Sequence, residues 1–362
     1  MTPVSPPTMR SVARLAGVSL MTVSRVLTDP DLVAEDTRRR VRDAIAKLGY
    51  VPDRGASSLR SGRTGFIAAV LPTLVNANFA DTAHGITETL RARGYELVIG
   101  YTLYQLDEEE RQVRSLLARR PEAIVVAGTV HSRATTRALL DSRLPVVEIW
   151  ELPQQPLDRA VGFSNHDAGR AAARFLLSLG HRRIAAIGPA ADGPARDHRG
   201  EARIAGFRAV LEEAGLGADA IVRPCAPPLS FTEGAVAMAE LLRKTPEVEA
   251  VFAVSDLVAF GAMMECRRRG IDVPGRVSIL GFGDFELGRQ SVPTLSTVSI
   301  DAHAIGEQAA QVIVEALGDR AAHAAAASSA PVAASARVVD LGFRIVARDS
   351  TGARGTPGER HD

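Results

Sequence analysis

Residues 11–27 read SVARLAGVSLMTVSRVL. Val12, Ala16, Val23 and Leu27 can face a core, but Leu20 and Met21 open a second short helix, where a polar first turn is expected. Thr22, Ser24 and Arg25 stand beside them. Gly17 tolerates positive φ after the first helix, and the Ser19 hydroxyl can cap the second by accepting from an early backbone N–H. Helix, glycine turn and helix in about twenty residues is the helix-turn-helix arrangement, whose second helix presents its first residues to the major groove. On that reading Leu20 and Met21 meet thymine methyls and flat base edges, and Arg25 can donate two bonds to a guanine. Ser19, Thr22 and Ser24 suit phosphates. An ordinary helical hairpin with Leu20 and Met21 in a core fits the same pattern, and pattern alone leaves both open.

Outward from this stretch, residues 1–7 are Pro-rich and expected to be disordered. Thr8 can cap the first helix. A third helix is expected over 35–48, with Glu35 and Asp36 in the first turn, where the dipole favours them. Val41, Ile45 and Leu48 recur at helical spacing and Gly49 ends the run. Residues 8–50 thus form a small helical domain, and 51–63 a polar connector with one isolated leucine, Leu59. Residues 1–60 hold ten Lys and Arg against six Asp and Glu, while the rest holds 33 against 36. A basic head on a mildly acidic body points to a polyanionic partner for the head. Arginine richness carries no such weight, because 41 of the 43 basic residues are arginine throughout the chain.

The 362 residues allow two or three domains, and 46% hydrophobic with only 4% aromatic content implies cores of Ala, Val, Leu and Ile. Two cysteines are too few for a disulfide framework or a thiolate metal site. No run approaches the ~18 apolar residues of a membrane span, and MTPVSPPTMR lacks the apolar core of a signal peptide. A cytoplasmic protein is the expectation.

From residue 64 short apolar runs alternate with amphipathic helices. FIAAVLP, YELVIG, AIVVAG and LPVVEIW form one set; RIAAIGP, a strand near 221, AVFAVSD and SILGFGD form a second. Such alternation means parallel sheets with helices on both faces. Two sets predict two doubly wound lobes over 64–350, with a ligand cleft at the carboxyl ends of the strands. A helix near 301–317 is followed by an Ala-rich stretch, 321–335, read as a loose loop; a helical Ala-rich segment is the alternative, which Pro331 and the serines weaken. RVVDLGFRIVARDST supplies two more strand pieces, and the tail 351–362 is expected to be disordered.

The stretch quoted first, continued by TRRRVRDAIAKLGYVPDRGASSLRSGRTGFIAAVLP, closely resembles the LacI/GalR family of bacterial transcriptional regulators, over residues 8 to about 350. The resemblance implies an all-α helix-turn-helix head, a hinge, and an α/β periplasmic-binding-protein-like core that dimerises. By the same resemblance Leu20, Met21 and Arg25 read bases. The hinge becomes helical on double-stranded operator DNA, with Arg54 and Ala56 at the DNA and Leu59 wedged into the minor groove. Three departures stand out: Gly55 and Asp53 in the hinge, and Ala34 where a Ser cap is common. For the core, PTLVNANFADTAHGI, VVEIWE and LDRAVGFSN resemble the gluconate-repressor branch. The resemblance implies a small-molecule site drawing on Asn78, Phe79, Arg203 (the start of RIAGF), Ser255, Asp256, Phe282 and Asp284, with Glu148, Trp150 and Glu151 at a nearby strand end. Arg203 can hold a carboxylate or vicinal hydroxyls. Gly283 replaces a ligand-gripping aspartate, which shifts the expectation towards a sugar acid such as gluconate; a neutral sugar, or a ligand needed for DNA binding, is the alternative. Asp256 is equally suited to capping the next helix, and Glu148 to a structural role. No P-loop, HExxH or GxSxG is present and the eight histidines are dispersed, so no enzyme, cofactor or metal is expected.

Overall fold

The computed structural model describes residues 7–51, 64–189, 195–216, 221–225, 227–325 and 337–354. They divide into two compact units, Met1–Thr64 and Gly65–Asp362.

The head holds α1 (Met9–Ala16), α2 (Leu20–Thr28), a 3-10 turn (Pro30–Leu32) and α3 (Glu35–Leu48). Thr8 and Ser11 cap α1 reciprocally, each hydroxyl accepting from the other's backbone N–H at 3.2 Å. Gly17, at φ 64°, turns the chain out of α1, and the Ser19 hydroxyl accepts from Thr22 N at 3.1 Å to start α2. Val12, Ala13, Ala16, Val23, Val26, Val41, Ala44 and Tyr50 form the core, with Leu27 packed on it. No side chain caps α3 at Ala34, and Glu35 and Asp36 in its first turn face the positive end of the helix. Arg54, Ala56 and Leu59, with Asp53 and Gly55, lie outside the described residues.

The second unit runs β1 (Phe66–Leu71), α4 (Ala77–Arg91), β2 (Glu96–Tyr101), α5 (Leu106–Leu117), β3 (Ile124–Ala127), α6 (Arg133–Ser142), β4 (Val146–Ile149), β5 (Arg159–Gly162), α7 (Asn165–Ser178), β6 (Ile184–Pro189), α8 (His198–Glu213), β7 (Ile221–Cys225), α9 (Phe231–Lys244), β8 (Ala250–Ala253), α10 (Asp256–Arg268), β9 (Ser278–Phe282), α11 (Glu286–Gln290), β10 (Ser296–Ser299), α12 (Ala302–Ala325), β11 (Arg337–Asp340) and β12 (Arg344–Val346). Two six-stranded sheets result, in the orders β11-β5-β4-β3-β1-β2 and β12-β10-β9-β8-β6-β7. Pairing is parallel except for β12 on β10. The chain passes between the sheets after β5, after β10 and between β11 and β12.

β5 and β10 are strands that apolar runs do not announce. β10 is STVS, and its Ser296, Thr297 and Ser299 are buried because they bond to Arg348 O, Asp256 and Asp284 rather than to a hydrocarbon core. Two further expectations need correction. The Ala-rich stretch is not wholly a loose loop, because α12 continues to Ala325, alanine being the strongest helix former; residues 326–336 lie outside the described residues. Nor is the tail free from 351. Gly352 N donates to Ser278 Oγ at 3.1 Å and Arg354 N to Leu179 O at 2.8 Å, which ties 351–354 to the second lobe.

Helices meet in pairs through reciprocal glycines. A Cβ at Gly169 on α7 would overlap the Arg203 carbonyl oxygen of α8, and one at Gly206 would overlap the His166 carbonyl oxygen of α7. The same reciprocity joins α9 to α10 through Gly234 and Gly261, and α4 to α12 through Gly85 and Gly306. The opposing atoms are backbone, so a side chain cannot be accommodated by a rotamer change. Gly206→Ala is therefore expected to destabilise the core by about 1–3 kcal/mol despite alanine's better helix propensity. Thermal unfolding of the variant measures this, and an unchanged midpoint would show that the pair can part freely.

Candidate functional site

Two surfaces concentrate polar chemistry. The first is the start of α2. Leu20 and Met21 are 43% and 70% exposed, so the core-facing hairpin is excluded. Ser19 and Arg25 are also exposed, Thr22 and Ser24 partly so. Val23 and Val26 point inward on the opposite face. The arginines of α3 are engaged locally: Arg38 with Asp31 (3.1 Å) and Glu35, Arg39 with Asp36 (2.6 Å) and Arg40 with Asp36 (3.6 Å). Among the described residues no carboxylate pairs with Arg25. α2 thus offers an apolar tip, small hydroxyls and a guanidinium to an outside partner.

The second surface lies where the two lobes face each other at the strand ends. A small cavity there is lined by Asn76, Asn78, Phe79, Tyr104, Trp150, Asp197, Arg199, Arg203, Leu229, Val254, Ser255 and Phe282. Arg203 is 5% exposed. One of its nitrogens donates to Asn165 Oδ1, and another lies 3.7 Å from Asp197 Oδ2. Its guanidinium sits over the Phe282 ring at 4.1 Å, and its buried Nε has no partner. Burial, opposed by Asp197, pushes its pKa down to about 10. Arg199 precedes it by one helical turn. It donates to Ala127 O of the first lobe at 3.2 Å, lies 3.8 Å from Asp197 and 5.4 Å from the Phe79 ring. Burial and the neighbouring Asp197 push the Tyr104 phenol above its usual range, so it is a neutral donor. Two cations thus share Asp197 in a cleft shielded from water, with the Glu151 carboxylate also acting on Arg203.

Trp150 is held at φ 73°, a conformation bulky residues avoid. Its N–H donates to Val161 O at 3.1 Å, its carbonyl accepts from Asn165 Nδ2 at 2.7 Å, and its Nε1 donates to Thr82 Oγ1 at 3.2 Å. The ring packs against Phe79 at 4.9 Å and Phe163 at 6.0 Å.

Asn78, Phe79, Trp150, Arg203, Ser255 and Phe282 are therefore brought together, while four other expected residues are not. Glu148 points to the opposite face of its sheet; it accepts from Leu157 N at 2.7 Å and lies 3.7 Å from His131, which also meets Glu109 at 2.8 Å. Asp256 neither lines the cavity nor caps α10. Ser255 is the cap, accepting from Leu257 N at 3.3 Å, whereas Asp256 turns inward to accept from Phe285 N and Thr297 Oγ1, each at 2.8 Å. Burial raises the Asp256 carboxyl to about 6. Asp284 faces a separate groove of about 890 Å³. It pairs with Arg348 at 2.5 Å and Arg289 at 3.3 Å; against the effect of burial, these hold its carboxyl below the usual range. Gly283, at φ 127°, has no room for a side chain, since a Cβ would come 2.7 Å from Asn78 Nδ2. Glu151 lines a neighbouring recess and acts from behind, its carboxylate accepting from Asn165 Nδ2 at 3.0 Å.

Sequence reasoning missed Asn76, Tyr104, Asp197, Arg199, Leu229 and Val254. A signal existed for Arg199, which precedes Arg203 by four residues and so shares its helix face. Tyr104 and Asp197 come from loops that carry no periodicity.

Residues 8–53 match the model for bacterial regulatory proteins of the lacI family, and residues 173–351 match the periplasmic binding protein-like domain. Over 345 residues the chain is 35% identical to the HTH-type transcriptional regulator GntR of Pseudomonas aeruginosa, covering 95% of this chain and 96% of that one. The chain belongs to the LacI family of bacterial transcriptional regulators. A LacI-family regulator from Silicibacter pomeroyi has the same fold, with a TM-score of 0.85 and 31% identity over 96% of this chain and all of that one. The Lac repressor dimer bound to operator shares the architecture at a TM-score of 0.77 and 22% identity, over 96% and 100% of the two chains. This regulator thus carries a DNA-binding helix-turn-helix, and its relatives are regulators rather than enzymes. No described helix is long and apolar enough to cross a membrane.

Two predictions follow from these sites. In the head, Arg25→Ala is expected to lower affinity for an operator selected from random duplexes by about 1–3 kcal/mol and to relax preference at one base pair. Equal affinity would remove Arg25 from the reading face. In the core, burial opposes charging His131, but Glu109 and Glu148 outweigh it and raise its pKa to about 9. Its stabilisation is fully present below the unfolded value near 6.5 and is lost as pH rises through about 9. Wild-type stability should fall across that window, and His131→Gln should flatten the profile; parallel profiles would contradict the pairing.

Proposed function

We propose that this regulator is a repressor that leaves a palindromic operator when a sugar acid of the gluconate type binds between its lobes. One observation carries the reading: Arg199 and Arg203 converge with a single lining carboxylate, Asp197, on a small cavity between the lobes. The guanidinium of Arg203 suits the carboxylate of a sugar acid. Asn78, Ser255 and Tyr104 supply partners for hydroxyls, and Phe79, Trp150 and Phe282 offer faces for the carbon chain.

On the DNA side, Leu20, Met21 and Arg25 read base edges, and Ser19, Thr22 and Ser24 contact phosphates. Arg54 and Ala56 of the hinge also meet the DNA, and Leu59 enters the minor groove. The Lac repressor named above is a dimer on its operator, and the same assembly is proposed here, with symmetry-related α2 helices in successive major grooves. The protein works inside the cell without cofactor.

Operator binding followed by fluorescence anisotropy tests this. Gluconate is expected to weaken binding about 5–150-fold, the usual range of allosteric coupling, while glucose leaves it unchanged. Arg203→Met should keep operator affinity and lose the response. Tighter binding with gluconate would make the ligand a corepressor, and no change with any sugar acid would overturn the effector assignment while leaving the DNA-binding function intact.

A further inference from the structure

We propose that His84, Glu88 and His303 form a binding site for a divalent first-row transition ion of the zinc type, at the crossing of α4 and α12. The site stands on geometry independent of the effector cleft. Gly85 and Gly306 let the two helices approach until a Cβ at either would strike the other's backbone. That closeness sets His303, the second residue of α12, beside α4. His84 and Glu88 are four residues apart and so share one face of α4. His84 Nε2 lies 3.4 Å from Glu88 Oε1, His303 Nε2 lies 3.0 Å from Glu88 Oε2, and the three donor atoms fall within 4.8 Å of one another.

Zinc binds imidazole nitrogen and carboxylate oxygen at about 2.0–2.2 Å, which places tetrahedral donors roughly 3.3 Å apart. The two His–Glu separations are close to that spacing, each to a different oxygen of Glu88, and the donor atoms of all three side chains lie within 4.8 Å of one another, a gap that ring rotation would have to close. Two imidazoles and one carboxylate are a donor set suited to zinc, nickel, copper or iron, and poorly suited to magnesium or calcium. The three side chains are 64%, 57% and 42% exposed, so water can fill the remaining coordination position. His303 also lines the 890 Å³ groove, which provides a route of entry.

An ion here would pin a crossing that bears on both lobes. α12 begins directly after the chain passes over from β10, and Thr82 on α4 joins the two helices by donating to Ala302 O at 2.9 Å. The same Thr82 hydroxyl accepts from Trp150 Nε1 in the cleft.

Zn²⁺ titrated calorimetrically into the full-length, tag-free, chelator-treated protein tests the site. Wild type is expected to take up one ion per chain at this site, and its melting temperature to rise with Zn²⁺, as binding to the folded state requires. His84→Ala, at an exposed position, and His303→Ala, at a partly exposed one, should each weaken that binding at least tenfold and abolish the thermal shift, with far-UV circular dichroism unchanged. Excess Mg²⁺ should not compete. Uptake by the His84→Ala/His303→Ala double variant equal to that of wild type, no uptake by wild type, or displacement by Mg²⁺ would each overturn the proposal.

Discussion

The Arg203 guanidinium, enclosed between two lobes, is the constraint on which the core is organised. Removing such a charge from water costs several kcal/mol unless fixed dipoles and counter-charges replace the solvent. Here the replacements come from both lobes. Asn165 accepts from Arg203 and is itself held by the Glu151 carboxylate and bonded to the Trp150 carbonyl, which follow β4 of the first lobe. Asp197 is shared with Arg199, and the Phe282 ring covers the cation. The compensation is incomplete, because one guanidinium nitrogen stays unpartnered and its pKa falls towards 10. An anion entering the cavity would complete it, and would do so best in one arrangement of the lobes.

Polar bonds also join the two lobes directly around this site. Arg199 reaches across to the Ala127 carbonyl, and Arg196 N donates to Tyr104 O at 2.9 Å, so polar bonds of the second lobe end on the first. Around them an aromatic series runs from Phe79 through Trp150 and Phe163 to Phe282, with Phe343 against Phe163. Phe163 and Phe343 lie on segments that cross between the lobes. Packed rings tolerate discrete rearrangements better than continuous deformation. A ligand that binds one arrangement more tightly shifts the population towards it, and any surface that depends on that arrangement responds.

The head was legible almost to the residue because its signals are local. Thr8, Gly17, Ser19 and Gly49 act within one helical turn, and the exposure of Leu20 and Met21 follows from the inward faces of Val23 and Val26. The alternation of strand and helix was legible for the same reason. What escaped depends on distant partners. β10 is polar because its partners are Asp256, Asp284 and Arg348, separated from it by up to 52 residues. Family likeness pointed to Asp256 and Asp284, and strand-end position to Glu148, but side-chain direction is decided by bonds to Phe285 N, Arg348 and Leu157 N. Tyr104 and Asp197 enter the cavity from irregular loops, where no spacing rule reveals them. Reciprocal glycines were likewise unreadable, since each matters only for the backbone opposite.

The account's central claim is that ligand in the cleft and operator at the head oppose each other energetically. Such coupling is reciprocal, so it can be measured from the ligand side. Gluconate affinity should be determined calorimetrically for the free regulator and for the regulator saturated with operator. The account predicts weaker binding to the operator complex, by the same factor with which gluconate loosens the operator. Equal affinities in the two states would contradict it.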